Sequence, residues 1–295
     1  MCVSPAPSRR VTVPSILAAR AERRRLVMVT AYDAPTGRAA DAAGVDIALV
    51  GDSLAMVVLG HADTLSVTMD QMIQHTAAVA RVVNRALVAG DMPYLSYHTG
   101  WRDAVRNAGR FVQEGRAAAV KLEGGRRRVD TIRAIIDAEI PVLGHVGLTP
   151  QSTHAQGGYR VQGRDVERAE AVFEDALAVA GAGAFCVVLE GVPDRLAAAI
   201  TSELPVPTIG IGAGPDCDGQ VLVFHDLAGW SGPGPLPRFV RRYAELGSEA
   251  TAAVAAFARD VRQGAYPAHE ETYPTPEPVQ RWLASRASGR RRGSA

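Results

Sequence analysis

Little in this chain of 295 residues points toward a large or charged partner. Its 32 Lys and Arg nearly balance 31 Asp and Glu, leaving a formal charge of +1. No field of one sign is available to gather nucleic acid or an anionic membrane. No apolar run approaches the ~20 residues of a membrane span, and the opening "MCVSPAPSRRVTVPS" lacks the apolar core of a signal peptide. Cysteine is scarce: Cys2, Cys186 and Cys217 form no C-x-x-C pair and are odd in number. That excludes a disulfide framework and a Cys/His zinc site, and Cys186, inside an apolar run, suits buried packing in a reducing compartment. What remains is an ordinary globular composition, 47% apolar and 21% charged. A cytoplasmic protein acting on small molecules is expected.

The organisation lies in alternation. Short runs rich in Val, Ile and Leu recur at 26–33, 47–53, 86–92, 119–124, 141–148, 184–191 and 207–214. None alternates strictly with polar residues, the pattern of strands buried on both faces of a parallel sheet. Helical patterns lie between them: 68–83 opens on a Thr cap, 129–139 aligns Ile132, Ile135 and Ile136, and 165–183 ends in glycines. Seven such units predict an α/β fold, either a (β/α)8 barrel or a doubly wound open sheet. The eighth strand is harder to place. "QVLVFHDL" (220–227) resembles one, but only "PDCDG" separates it from the seventh, and a parallel crossover usually needs about a dozen residues. Residues 219–228 are therefore expected to be helical, with the last strand at 238–245 and a closing helix at 249–264. The expected organisation is a loose tail over 1–12, one barrel domain with C-terminal helices over 13–285, and a disordered basic tail over 286–295.

The chemistry gathers where the strands end. Asp33, Asp52, Asp91, Glu123, His145 and Glu190 occupy successive strand ends, the face on which barrel enzymes build their sites. Any one aspartate there serves equally as a turn or helix cap, but turns alone do not call for acids at so many ends. Crowded carboxylates repel unless a cation neutralises them, and oxygen-only ligation with an open sphere suits Mg2+. His145 has no partner at helical spacing, so it is expected to donate a hydrogen bond, or else to be a structural buried histidine, rather than to ligate a metal. In "AVKLEGG", period-2 alternation puts Lys121 and Glu123 on one side of their strand. The pair is either structural or, as favoured here, a lysine awaiting a substrate carboxylate. The glycine run 210–214 is expected to be a tight turn.

Gly51-Asp52-Ser53-Leu54 also spells the signature of a serine hydrolase family. That chemistry needs a histidine base, supplied in that family by a D-x-x-H that this chain lacks.

Taken together, "VTAYDAP", "LVGDSLAMVVLGH", "TLSVT", "HTAAVAR", "VKLEGG", "PVLGHVGLTPQS", "GGYRVQGR", "VLEGVP", "IGIGAGPDCDGQVLVFHD" and "PRFVRRYAELG" resemble, in order, the ketopantoate hydroxymethyltransferase family over roughly residues 26 to 270. The resemblance implies a TIM barrel of the phosphoenolpyruvate/pyruvate-binding type and a homo-oligomer, commonly a decamer. It also implies Mg2+, with 5,10-methylenetetrahydrofolate as one-carbon donor, 3-methyl-2-oxobutanoate as acceptor and 2-dehydropantoate as product. By motif, Asp52 and Asp91 become metal ligands and Glu123 the third acid of the metal site. Asp52, Ser53, Asp91 and Lys121 become contacts of the keto acid, joined by His145 as a hydrogen-bond donor, and Glu190 becomes the proton acceptor. Three positions depart from the family's usual residues: Gly90, Tyr94 and Gly191. A sister metal-dependent 2-oxo-acid lyase or mutase of the same barrel superfamily is the closest alternative, followed by the serine hydrolase and by an inactive scaffold.

Overall fold

Each apolar run becomes a short parallel strand because both of its faces are covered. In the computed structural model, which describes residues 9–232, 234 and 236–290, eight strands close a barrel in sequence order. They are β1 (Leu26–Thr30), β2 (Ile47–Val50), β3 (Leu87–Asp91), β4 (Ala119–Glu123), β5 (Val142–Gly147), β6 (Cys186–Glu190), β7 (Thr208–Ile211) and β8 (Gly219–Leu222). The helices among the described residues are α1 (Val13–Ala21), α2 (Ala34–Ala42), α3 (Leu54–Val57), α4 (Met69–Ala80), α5 (Trp101–Gln113), α6 (Val129–Asp137), α7 (Thr153–Gln156), α8 (Val166–Gly181), α9 (Asp194–Glu203), α10 (Phe224–Leu227), α11 (Leu246–Gln263) and α12 (Glu277–Arg290). The starts of α4 and α8 follow from their caps: Thr68 and Asp165 each accept the backbone N–H three residues on.

Side-chain alternation splits the core in two. Ile47 and Leu49, Leu87 and Ala89, Leu143, and Cys186 and Val188 fill the barrel interior, closed below by Ile16 and Ala19 of α1. Their neighbours Ala48 and Val50, Val88, Val120 and Leu122, and Val187 and Leu189 pack outward among the helices. Followed upward, the inward positions change character: Ala89 leads to Asp91, Ala119 to Lys121 and Glu123, Leu143 to His145, and Val188 to Glu190. The barrel thus has an apolar interior and a charged mouth.

The eighth strand is not where the sequence reading put it. Gly219–Leu222 pairs with β7 (Ile209 beside Gly219) and with β1 (Leu26 beside Gly219, Val29 beside Leu222). Only Phe224–Leu227 of the stretch expected to be helical is α-helix, and 238–245 contains no strand. The crossover is short because the strands are short. A four-residue strand spans about 13 Å, a return that residues 212–218 can cover without a helix. Gly212 and Gly214, with φ of 62° and 79°, supply the reversal.

The chain falls into two compact units, divided between Ala244 and Glu245. The first holds the barrel. The second holds α11, ended by Gly264 with φ 64°, and α12. Of the stretches expected to be tails, residues 1–8 and 291–295 lie outside the described residues. Val11 is buried and donates its N–H to the Arg85 carbonyl, and α12 extends to Arg290.

Candidate active site

Strand register assembles the charged mouth. Asp91 of β3 pairs with Lys121 of β4, and Glu123 of β4 pairs with His145 of β5. Residues in register on parallel strands point the same way, so each pair meets inside the barrel. Lys121 Nζ lies 2.7 and 2.8 Å from the two Asp91 oxygens and 3.6 Å from Glu123 Oε1. The His145 ring stands between acids, Nδ1 3.3 Å from Glu123 Oε1 and Nε2 3.2 Å from Glu190 Oε2, at angles outside hydrogen bonding. Asp52 enters from the loop after β2, and its backbone N–H donates to Asp91 Oδ2 at 3.1 Å. Asp52, Asp91, Lys121, Glu123 and His145 are buried, while Glu190 keeps 19% of its side chain exposed.

All of them line one cavity of about 270 Å3. Its lower wall is apolar, from Met28, Leu49, Val188, Ile211 and Val221. Ser53 lines it too, and the Ser53 hydroxyl lies 2.8 Å from the Tyr32 hydroxyl. Among the described residues no histidine or carboxylate bonds Ser53, so nothing activates it as a nucleophile. Asp33, the remaining strand-end acid, plays a different part. It is exposed and caps α2, accepting the Thr36 N–H at 2.8 Å.

Three residues of this neighbourhood were not singled out from sequence: Tyr32, Tyr97 and Gln151. Gln151 Nε2 donates to Asp52 Oδ2 (2.9 Å) and to the Met92 carbonyl (3.0 Å), and its backbone N–H donates to Glu123 Oε2 (3.0 Å). The Tyr97 hydroxyl donates to Gln151 Oε1 at 2.6 Å and accepts the Glu123 N–H at 3.2 Å. Tyr32 and Gln151 lie in motifs quoted above and Tyr97 in none, and neutral residues in loops carry no charge pattern to mark them.

The electrostatics are unbalanced. Burial, then the charges of Asp91 and Glu123, raise the Asp52 carboxyl well above the usual range. Burial raises Asp91 as well, against Lys121. Burial also opposes charge on Glu123, but Lys121 and His145 hold it below its usual value. Burial and Lys121 act against charge on His145, yet Glu123 and Glu190 lift it to about 9. For Lys121, burial is outweighed by Asp91, Glu123 and Asp52, which keep the ammonium charged. Four carboxylates thus face one lysine and one imidazolium.

That excess, with a donor set of oxygens only, fits a hard divalent cation. Glu123 Oε1 is buried without a hydrogen bond, and Asp52 receives the Gln151 amide through Oδ2. Among the described residues no three His, Cys, Asp or Glu side chains are grouped so as to hold a metal ion by themselves. The set suits magnesium, which takes one or two carboxylates and completes its sphere with water and substrate.

The departures at Gly90 and Gly191 have local reasons. A Cβ on Gly90 would lie 2.3 Å from the Phe111 ring of α5, and Gly191 has φ 54°. Nothing in the structure explains Tyr94.

Residues 10–269 match the family described as ketopantoate hydroxymethyltransferase. The chain is 57% identical over 265 residues to the 3-methyl-2-oxobutanoate hydroxymethyltransferase of Pelobacter propionicus, covering 90% of this chain and 98% of that one. It is 55% identical over 264 residues to the protein of the same name from Moorella thermoacetica, with coverages of 90% and 98%. Among solved structures it is similar to 2,3-dimethylmalate lyase, a PEP mutase/isocitrate lyase superfamily member. There the TM-score is 0.58 at 20% identity, over 90% of this chain and 92% of that one. A phosphonopyruvate hydrolase gives a TM-score of 0.57 at 13% identity, over 96% and 97%. At these identities the structural likeness speaks to the fold alone, a closed barrel of eight parallel strands. No helix among the described residues is long and apolar enough to cross a membrane.

Proposed function

The chain belongs to the ketopantoate hydroxymethyltransferase family and is an enzyme of that type, and from this premise we propose the donor, the metal and the residue roles. The reaction moves the methylene carbon of 5,10-methylenetetrahydrofolate to C3 of 3-methyl-2-oxobutanoate. Water supplies the hydroxyl, 2-dehydropantoate forms and tetrahydrofolate leaves. The observation that carries this reading is the convergence of Asp52, Asp91, Lys121, Glu123, His145 and Glu190 on one cavity with an apolar floor.

Asp52 and Asp91 hold Mg2+, with Glu123 as the third acid of its site. When bound, the ion supplies Lewis acidity toward a 2-oxo acid. The residues do the rest. The Lys121 ammonium, a point charge with three donors, receives the substrate carboxylate. Ser53, held by Tyr32, hydrogen-bonds the keto acid, and the isopropyl group packs on Met28, Leu49, Val188, Ile211 and Val221. Glu190, the least buried acid of the cluster, takes the C3 proton. His145 donates a hydrogen bond on the same side, its charge maintained by Glu123 and Glu190. The C3–H bond breaks toward Glu190, and a C3–C bond forms to the donor's methylene carbon. The family resemblance also supports a homo-oligomer, a decamer, working in the cytoplasm.

Deuterium exchange at C3 tests the proton step apart from the folate. With Mg2+ and 3-methyl-2-oxobutanoate in D2O, the purified protein should exchange the C3 proton faster than buffer, and exchange at the buffer rate sinks the reading. Glu190→Gln should abolish exchange while keto-acid binding persists; lost binding would reassign Glu190 to the substrate site. Adding methylenetetrahydrofolate should then give 2-dehydropantoate, which a sister lyase or mutase would not form.

A further inference from the structure

Gln151 has no side-chain atom to spare. Its amide nitrogen has two hydrogens, and both find acceptors, Asp52 Oδ2 at 2.9 Å and the Met92 carbonyl at 3.0 Å. Its amide oxygen receives the Tyr97 hydroxyl at 2.6 Å. The direction of that last bond is fixed by its surroundings. Tyr97 already accepts the Glu123 backbone N–H at 3.2 Å, so its single proton is free to point at Gln151. Rotating the amide by half a turn would set its oxygen against a carboxylate and a carbonyl, and its nitrogen against a hydroxyl that already accepts the Glu123 N–H and would lose the acceptor of its own proton. One orientation alone satisfies every partner.

We propose that Gln151, oriented by Tyr97, is a positioning residue for the cation site. It holds Asp52 by Oδ2 and thereby turns Oδ1 toward the cavity. This rests on the reading above that Asp52 holds Mg2+. The same residue reaches a second acid, since its backbone N–H donates to Glu123 Oε2 at 3.0 Å. Two carboxylates that repel across the mouth are thus anchored by one neutral residue, itself 5% exposed. A neutral anchor is what the site requires. A cationic partner at this position would compete with the divalent ion for Asp52, whereas an amide orients the carboxylate and leaves its charge intact. Partners of this kind orient metal ligands without touching the metal.

Mg2+ affinity reads this role independently of turnover. Isothermal titration of Mg2+ into metal-free protein with 3-methyl-2-oxobutanoate should show Gln151→Ala weakened by ~10–100-fold. Exchange of the C3 proton should return to within roughly threefold of wild type once Mg2+ saturates, because the reacting groups remain. Tyr97→Phe keeps the ring and removes only the donor to Gln151 Oε1. It should shift affinity in the same direction by less, and it covers the case in which Gln151→Ala fails to fold. Wild-type Mg2+ affinity in Tyr97→Phe and in folded Gln151→Ala overturns the inference. So does lost exchange that saturating Mg2+ leaves unrepaired. If the wild-type protein itself binds no Mg2+, the cation site is what fails, and the inference with it.

Discussion

Asp52 offers a quantitative test, because removing its charge should make the protein more stable and less active at once. In the metal-free state Asp52 is buried beside Asp91 and Glu123, and burial and both charges act against its ionisation. Two unit charges ~5 Å apart at an effective dielectric of ~20 repel by about 3 kcal/mol. Partial protonation and the nearby Lys121 ammonium reduce what can be recovered. Asn is nearly isosteric and still offers an oxygen to Gln151 Nε2, so Asp52→Asn should stabilise metal-free protein by about 1–3 kcal/mol. For a chain of this size that is a rise in Tm of roughly 3–8 °C. Differential scanning fluorimetry without divalent ions measures it. Repeating the scan with saturating Mg2+ supplies the second arm, in which wild type gains stability and Asp52→Asn gains little. C3 proton exchange should meanwhile fall to background in the variant. An Asp52→Asn protein that melts below wild type without metal refutes the argument, because Asp52 would then be compensated rather than strained. Equal Mg2+ gains in both proteins would remove Asp52 from the cation site.

Two other outcomes follow from specific contacts. Gly90→Ala puts a Cβ 2.3 Å from the Phe111 ring and should cost about 1–3 kcal/mol. The added change Phe111→Leu should restore part of it in a double-mutant cycle, and strictly additive losses would exclude the contact. His145, lifted from 6.5 to about 9 against burial and Lys121 by Glu123 and Glu190, carries a signed pH effect. A histidine whose folded value is raised stabilises the fold fully below its unfolded value and loses that contribution as pH climbs through the folded one. In metal-free protein the urea unfolding free energy should therefore fall between about pH 6.5 and 9 through this group. Gln at position 145 should flatten that slope, and an unchanged slope would assign it to another residue.

The parts of the fold written in hydrophobic pattern were legible. All seven runs rich in Val, Ile and Leu contain strands β1 to β7, and the Thr68 and Asp165 caps begin helices where expected. β8 was missed because a usual crossover length was applied to strands too short to need one. Its identity depends on pairing with β1 from the far end of the chain, which no local window contains. The site divides along a similar line. Asp91, Lys121, Glu123, His145 and Glu190 were visible because charged residues at the ends of apolar strands break a pattern. Gln151 and Tyr97 break none. They matter because the segments after two different strands, β3 and β5, bring them together, so their role arises from tertiary approach and not from residue type. Asp33 is the converse case, an acid that fitted the pattern yet caps a helix.

The contact between Gly90 and Phe111 couples two surfaces that are usually considered apart. Gly90 faces outward to α5, and the next residue, Asp91, faces inward to Lys121. One peptide unit separates an aromatic ring on the outside of the barrel from a carboxylate at its mouth. The ring fills the space that a Cβ on residue 90 would need, so the absence of a side chain at Gly90 lets α5 settle on β3 beside that carboxylate. A methylene gained or lost at residue 111 should therefore be felt one residue away, at Asp91. The reach of the catalytic mouth extends through the wall of the barrel to the packing of a helix on its outer side.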